Sequence, residues 1–458
     1  MKYSGLVFAS LALSCSVSNA ASDATFSGTT LDIPYVEYMD NIYGLQLTFD
    51  GATGKLVFAG ATPLDAAPDS PKVKLEEDFS FSLTELLAGG ETYAIDVAYA
   101  GDNNGRFEFD VTKFGVALHG KMFKGEQITN LGMLAPKSFS YAYGISDNGT
   151  TITGRSRNSS RKTVPVRFHF DHGHIQAISD LGGGRSQGQA ANNGGMIAGF
   201  MNQETESGAP RIYNAFYAAA DSAEAQNIGT LGDGVDSRAY GLNNNGMVVG
   251  WSASLADNTD HVAFTYDTTA GTLTGLGGDI LGGQRSFAFA VNDANQITGV
   301  ATTADGSALA FLYENGAAKS LGSLDNSGYS EGRSINDKGQ VTGWSLTSEG
   351  KYAAFISDGD SMTAIPGLGG DAQGYDINTH GHVVGKAKDA DGGNHAFVYK
   401  DGVLHDLYDM LPVGDKENWK ELREAYSISD DGVVVGRGRY WTDKENGKNS
   451  SMAFRIQL

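Results

Sequence analysis

Trp419, Lys420 and Arg423 lie within five residues of one another, and Arg437, Arg439, Tyr440 and Trp441 form a second group of the same kind. Aromatic rings with polar neighbours suit stacking on sugar rings or peptide side chains. These seven residues are the expected binding site; packing inside the last part of the fold is the competing reading. His169, His172 and His174 in HFDHGH have the outward form of a metal site. Asp389, Asp391 and Asn394, like Asp257, Asn258 and Asp260, offer oxygens of the type that hold Ca²⁺. Neither acidic loop has a complete calcium-loop pattern, and no cofactor is expected. The chain has no phosphate loop. Its glycine-rich stretches 181–184 and 275–283 fall in turn positions and open no helix. No catalytic residue is expected.

The elements that position these residues are set by an unusual composition. Of 458 residues, 62 are Gly and only 9 are Pro, with 40% hydrophobic residues and a net charge of −21. High Gly without Pro argues against collagen and against a Pro-rich disordered chain, and places the glycines in tight turns around a large core. The acidity weighs against nucleic acid and anionic membrane surfaces as partners. Residues 1–20 have the form of a secretory signal, with Lys2, an apolar run Leu6–Leu13 and Ser18-Asn19-Ala20 at the cleavage point. The only cysteine, Cys15, lies in that segment, and its acylation in a lipoprotein is the alternative. No other apolar run is long enough to span a bilayer. The expectation is an exported protein, secreted, periplasmic or on the surface of a Gram-negative-like bacterium.

One hairpin pattern recurs seven times, as in LNNNGMVVG (242–250) and INDKGQVTG (335–343). The closing glycines are Gly154, Gly199, Gly250, Gly299, Gly343, Gly385 and Gly436, spaced 42 to 51 residues apart. That is the length of a four-stranded propeller blade, about 40–50 residues. The second hairpin position is Asn or Ser, which starts a type I turn. Three residues later stand six glycines and Asn295, as a left-handed position requires. An apolar strand around a Phe follows each hairpin, then a short turn such as Asn315-Gly316 or Asp401-Gly402, then a strand ending in Leu-Gly. Each hairpin is approached through a small residue: Ala142, Gly188, Ala239, Ala288, Gly332, Gly374 or Ala425. In this register His172-Gly173 is a turn, His380 and His382 occupy hairpin columns held elsewhere by Lys338 and Gln340, and His395 fills an apolar column. Tyr143, Tyr240, Phe289, Tyr375 and Tyr426 form an aromatic column expected in the core.

These motifs resemble the HAF family of probable extracellular repeats, named for the His-Ala-Phe found here at 395–397. GTLGDGVDSRAYGLNNNGMVVGW (229–251) and GSLDNSGYSEGRSINDKGQVTGW (322–344) carry the likeness, which covers about 120–458. The resemblance implies a bacterial secreted β-propeller without an assigned activity, and brings no catalytic residues with it.

The chain is therefore expected to be all-β: a signal peptide at 1–20, a small N-terminal β domain at 21–113 and a seven-bladed β-propeller at 114–458. The last blade lacks a fourth strand, which EQITNL (126–131) can supply to close the ring. One face carries short uniform turns. The other carries the variable segments 200–213, 252–261, 409–422 and 437–450, where binding on a rigid scaffold resides. The expected function is a binding module for an unknown extracellular glycan or protein. The alternative is a polysaccharide lyase or hydrolase on the same scaffold.

Overall fold

The computed structural model describes residues 25–458 apart from 28–29, 39–40, 51–54, 64–72, 75–80, 89–90, 104–105, 117–122, 126, 171–173, 180, 204–210, 221 and 254–260. The signal segment with Cys15, His172, and the loop residues Asp257, Asn258 and Asp260 lie outside the described residues. The chain divides into two compact units, Met1–His119 and Gly120–Leu458. The division falls beyond residue 113 because the strand Arg106–Val116 pairs with Glu91–Asn103 as far as Val116.

The first unit is one eight-stranded sheet. Its strand Thr25–Ser27 pairs both with Phe81–Ala88 and with Thr30–Tyr38, so the sheet closes on itself. Leu31, Ile33, Leu47, Leu56 and Val57 are buried in it.

The second unit is a seven-bladed β-propeller. Blade 1 runs from the inside outward as Ser140–Ile145, Ile152–Arg157, Thr163–His169 and His174–Ala177, each antiparallel to the next. Five further four-stranded sheets repeat that order. The seventh blade takes Trp419–Ile428, Val433–Asp443 and Lys448–Gln457 from the C-terminal end. Its fourth strand is Ile128–Asn130, paired with Ile456, Arg455 and Phe454. Phe123–Lys124 adds a short fifth strand outside it. Asp415, in the helix Val413–Asn418, is buried and accepts the amides of Gln127 and Ile128 at 2.8 and 3.2 Å, which ties down the closing strand.

Local chemistry accounts for the repeat. All seven left-handed hairpin positions have positive φ, from 62° at Asn295 to 84° at Gly195 and Gly432. Both residues of Asn315-Gly316 and of Asp401-Gly402 also have positive φ, the signature of a type I′ turn. The seven phenylalanines of the third strands, such as Phe168, Phe264 and Phe454, are at most 1% exposed. Each contributes roughly 2–3 kcal/mol by burial.

Adjacent blades are fastened by side chains at fixed positions. Ser140, Ser237, Ser286 and Ser330 on inner strands accept the amides of Ala453, Ala215, Ala263 and Ala310 in the third strand of the preceding blade. The same hydroxyls donate to the carbonyls of Gly132, Gly229, Gly277 and Gly322 at the end of that blade. The small inner-strand column is matched to its neighbour as well. Where it is glycine (Gly188, Gly332, Gly374), the facing side chain is a threonine: Thr153, Thr298 or Thr342. Those threonines donate to the carbonyls of Val166, Phe311 and Phe355.

Candidate functional site

The inner hairpin of every blade contains a register slip at one place, for example between Ala142 and Gly144 or between Gly332 and Ser334. Two residues of the inner strand then oppose one of its partner, and such a bulge re-aims the extra side chain. The extra residues are Tyr143, Gln189, Tyr240, Phe289, Arg333, Tyr375 and Tyr426, and all seven line one axial cavity of about 420 Å³. The aromatic column expected in the core is thus the wall of that cavity. Its rings lean on one another, with centroids 4.8 Å apart for Tyr143 and Tyr426, 5.5 Å for Tyr375 and Tyr426, and 5.3 Å for Tyr240 and Phe289. Arg333 covers Phe289 at 4.2 Å. Burial holds the Tyr143, Tyr375 and Tyr426 hydroxyls well above their ordinary pKa.

The mouth on the hairpin-turn side is acidic and knitted together. The amides of Asn192, Asn243, Asn292, Asn336 and Asn378 donate to the carbonyls of Asn243, Asn292, Asn336, Asn378 and Ser429, one blade to the next, at 2.8–3.1 Å. Their Oδ1 atoms accept amides of their own turns, as from Met196 and Gln340. One residue further, Asn193, Asn244, Asp293, Asp337 and Asp430 accept the turn amides of Asn148, Asn193, Asn244, Asp293 and Thr379. Asn244 also reaches across to Asp147 at 2.9 Å. The Asp147 side chain touches solvent at the mouth, yet the protein crowded around it, with Asp376, Asp430 and Asp337 nearby, pushes its pKa up to about 6. Asp376 faces the cavity and accepts from Ser334, Ser427 and the amides of Ile377 and Ile428. Desolvation raises its pKa against those bonds.

Toward the long-loop side, the residue before the small column pairs with the residue after the closing glycine. The pairs are Tyr141 with Arg155, Gln187 with Phe200, Arg238 with Trp251, Phe287 with Val300, Glu331 with Trp344, Gln373 with Lys386, and Glu424 with Arg437. Guanidinium groups lie on aromatic faces: Arg155 on Tyr141 at 4.6 Å, Arg238 on Tyr213 at 4.2 Å and Trp251 at 5.0 Å, Arg437 on Tyr141 at 4.7 Å. Such stacking holds the cation without neutralising it. Glu331 pairs with Arg333 at 2.9 Å, and Glu424 pairs with Arg437 at 2.5 Å. Burial works against the Glu424 carboxylate, but the bonds from Arg437 and Tyr426 outweigh it and lower its pKa. Of this layer only Arg437 is among the residues expected from the sequence, although the position beside the repeat's glycine recurs in every blade.

The seven expected site residues do not form one surface. Trp419 is 2% exposed and packs against Tyr440 and Phe454, so its ring is unavailable for stacking on a ligand. Tyr440 and Trp419 are cross-strand partners, and their side of the sheet is the packed one. Arg423 is paired with Glu421 at 2.7 Å, and Arg437 turns to the axis. Lys420 lies 5.7 Å from the Trp441 ring, and Arg439 is half-buried. The segments 437–450 and 409–422 are not irregular loops. The first is a hairpin paired out to Asp443 and Lys448. The second holds the helices Leu407–Met410 and Val413–Asn418.

His169 and His174 stack at 4.4 Å as cross-strand partners. His395 bridges Asp406 at 2.6 Å and Asp389 at 2.9 Å, which raises its pKa despite partial burial. Its column is therefore an ion-pair clamp in this blade, where the sequence implied apolar packing. Among the described residues, no three His, Cys, Asp or Glu side chains form a group that could hold a metal ion.

No family model and no curated protein matches the chain. Among solved structures it is similar to a putative TolB from Agrobacterium tumefaciens, at 10% identity over 74% of this chain and 99% of that one, with a TM-score of 0.38. The β-propeller domain of the Trilobed protease from Pyrococcus furiosus gives 12% identity over 70% and 95%, with a TM-score of 0.44. An oligogalacturonate lyase in complex with manganese gives 11% identity over 74% and 98%, with a TM-score of 0.42.

Proposed function

We propose that this chain is an extracellular binding module of the HAF-repeat type, non-enzymatic, acting through the long-loop face of its propeller. The signal-like N-terminus and the repeat motifs support export. The observation that carries the binding role is the contrast between the two ends of the axis. On the turn side, the asparagine ladder repeats from blade to blade and uses its polar groups internally. On the other side, the same register holds a different pair from blade to blade, and the Arg238, Arg333 and Arg437 side chains, each held by a neighbouring carboxylate, stay about a quarter exposed. A rigid frame with one variable, cation-bearing face is the arrangement of a recognition surface.

The test is a glycan and protein array probed with single-cysteine variants carrying a polyethylene glycol chain. Ser160→Cys and Glu349→Cys place the polymer on long-loop turns, and Lys338→Cys places it on a hairpin turn. Binding should fall for at least one of the first two and persist for the third. Loss from Lys338→Cys alone, or no binding to any array member, would overturn the proposal.

A further inference from the structure

In a chain of net charge −21, one arc of the long-loop face is basic. Arg155 and Arg238 flank the axial pair of blade 2: Arg155 donates to Gln187 at 2.9 Å, and Arg238 lies 5.3 Å from the Phe200 ring. The Nε atoms of both guanidiniums are buried without a hydrogen-bond partner. Strand register carries the charge outward from there. Arg157 pairs with Thr163, which bridges to Arg185. Arg161 sits in the intervening turn at φ 60°, and Lys162 donates to Gly182 at 2.7 Å. Gly182 bridges to Gln203, whose amide donates to Ile212, next to Arg211. Arg157, Arg161, Arg185 and Arg211 are exposed. Among the described residues, none of these four meets a carboxylate, and neither does Arg155, whereas Arg238 is paired with Asp236 at 3.4 Å. At the sequence-expected site, by contrast, Arg423 and Arg437 are spent on Glu421 and Glu424.

We infer that this arc over blades 1 to 3 takes an acidic polysaccharide, through carboxylate or sulfate groups; the inference rests on the binding role proposed above. Guanidinium forks match such anions with paired, charge-assisted hydrogen bonds. The cations are strung along several loops instead of converging on one pocket, which suits a polymer with charges at intervals. The neighbouring Tyr141, Tyr213 and Trp251 rings already carry guanidinium groups, so they offer little free face to nucleic-acid bases. At physiological salt, screening over about 8 Å lets a local basic arc act despite the acidic remainder.

The experiment is calorimetry of the full-length protein with alginate (a polyuronate), dextran sulfate, neutral dextran and single-stranded RNA. Alginate or dextran sulfate should bind, more weakly as salt rises, while dextran and RNA should not. Combining Arg157→Gln, Arg161→Gln and Arg185→Gln should weaken that binding by roughly tenfold or more. The triple Lys variant at the same positions should regain most of it, and Lys338→Gln with Lys400→Gln should change nothing. Equal binding by the triple Gln variant, or dextran or RNA binding as tightly, would overturn the inference. If both acidic polymers fail while the array still gives binding that a long-loop polymer blocks, this inference falls and the binding role stands.

Discussion

Replacing Gly374 by alanine tests the fitted contact between blades 5 and 6. Gly374 has no positive φ, so alanine is allowed by the backbone. A Cβ there would lie 2.5 Å from Thr342 Oγ1, 3.1 Å from the Gly343 carbonyl and 3.2 Å from Val383 Cγ1. Thr342 cannot easily turn away, because it is buried and its hydroxyl donates to Phe355 O at 2.7 Å. Overpacking of this kind costs about 1–3 kcal/mol, and removing a strand glycine returns about 0.5–1 kcal/mol. The expected net loss for Gly374→Ala is about 0–2.5 kcal/mol. Thr342→Ala alone should cost about 1–2 kcal/mol through the lost hydrogen bond and methyl. In the Thr342→Ala background the shortest of these contacts is gone while those to the Gly343 carbonyl and Val383 remain, and Gly374→Ala should cost clearly less than in the wild type. Urea unfolding followed by tryptophan fluorescence reads the propeller alone, because Trp251, Trp344, Trp419 and Trp441 all lie in it. The double-mutant cycle should show a coupling of about 1–3 kcal/mol. An equal cost of Gly374→Ala in both backgrounds would refute the fitted glycine–threonine contact.

Asn336→Asp should keep the turn, since an oxygen still accepts from Gln340, but it removes the donor to Asn378 O and sets a carboxylate against that carbonyl. A loss of about 1–3 kcal/mol in urea is expected, against little change for Lys338→Ala in the same turn. Asp147 gives a pH test. Its folded pKa of about 6 lies above the unfolded value, so the folded state binds this proton more tightly. Its contribution is therefore fully present below about pH 4 and is lost as pH rises through 6. Asp147→Asn should exceed the wild type in urea midpoint at pH 7.5, with the gap closing by pH 4. An unchanged gap would refute the raised pKa.

Much of the architecture was legible because it rests on local rules repeated seven times. The positive-φ column and the Phe strands announce themselves in all seven copies, and the asparagine turn starters in five. The closing strand was legible as well, since a blade missing one strand must find it near the first hairpin. The axial site was less so. From Ala142 to Ile145 is three steps, while the opposite strand covers the same span from Gly154 to Ile152 in two. That one-residue mismatch creates the bulge, and alternation alone assigned the bulged residues to the core. Turn chemistry explained the asparagines only in part, because an aspartate would start the same turn. It is the amide donor, used one blade away, that selects Asn, and nothing local reveals a partner 42 to 51 residues distant. The stretch 437–450 reads as a loop in the sequence because its polar residues hide a continued strand alternation.

The first unit's chain enters the propeller at its seam. From Gly120 it leads into Phe123–Lys124, then into Ile128–Asn130, the strand that latches the two ends of the ring. Tension applied through the first unit therefore reaches the closing blade before any other. It meets a two-residue outer strand, and then a three-residue latch backed by Asp415. The ring's mechanical weak point and its tether coincide, so a tug on this protein would open the propeller along one defined line.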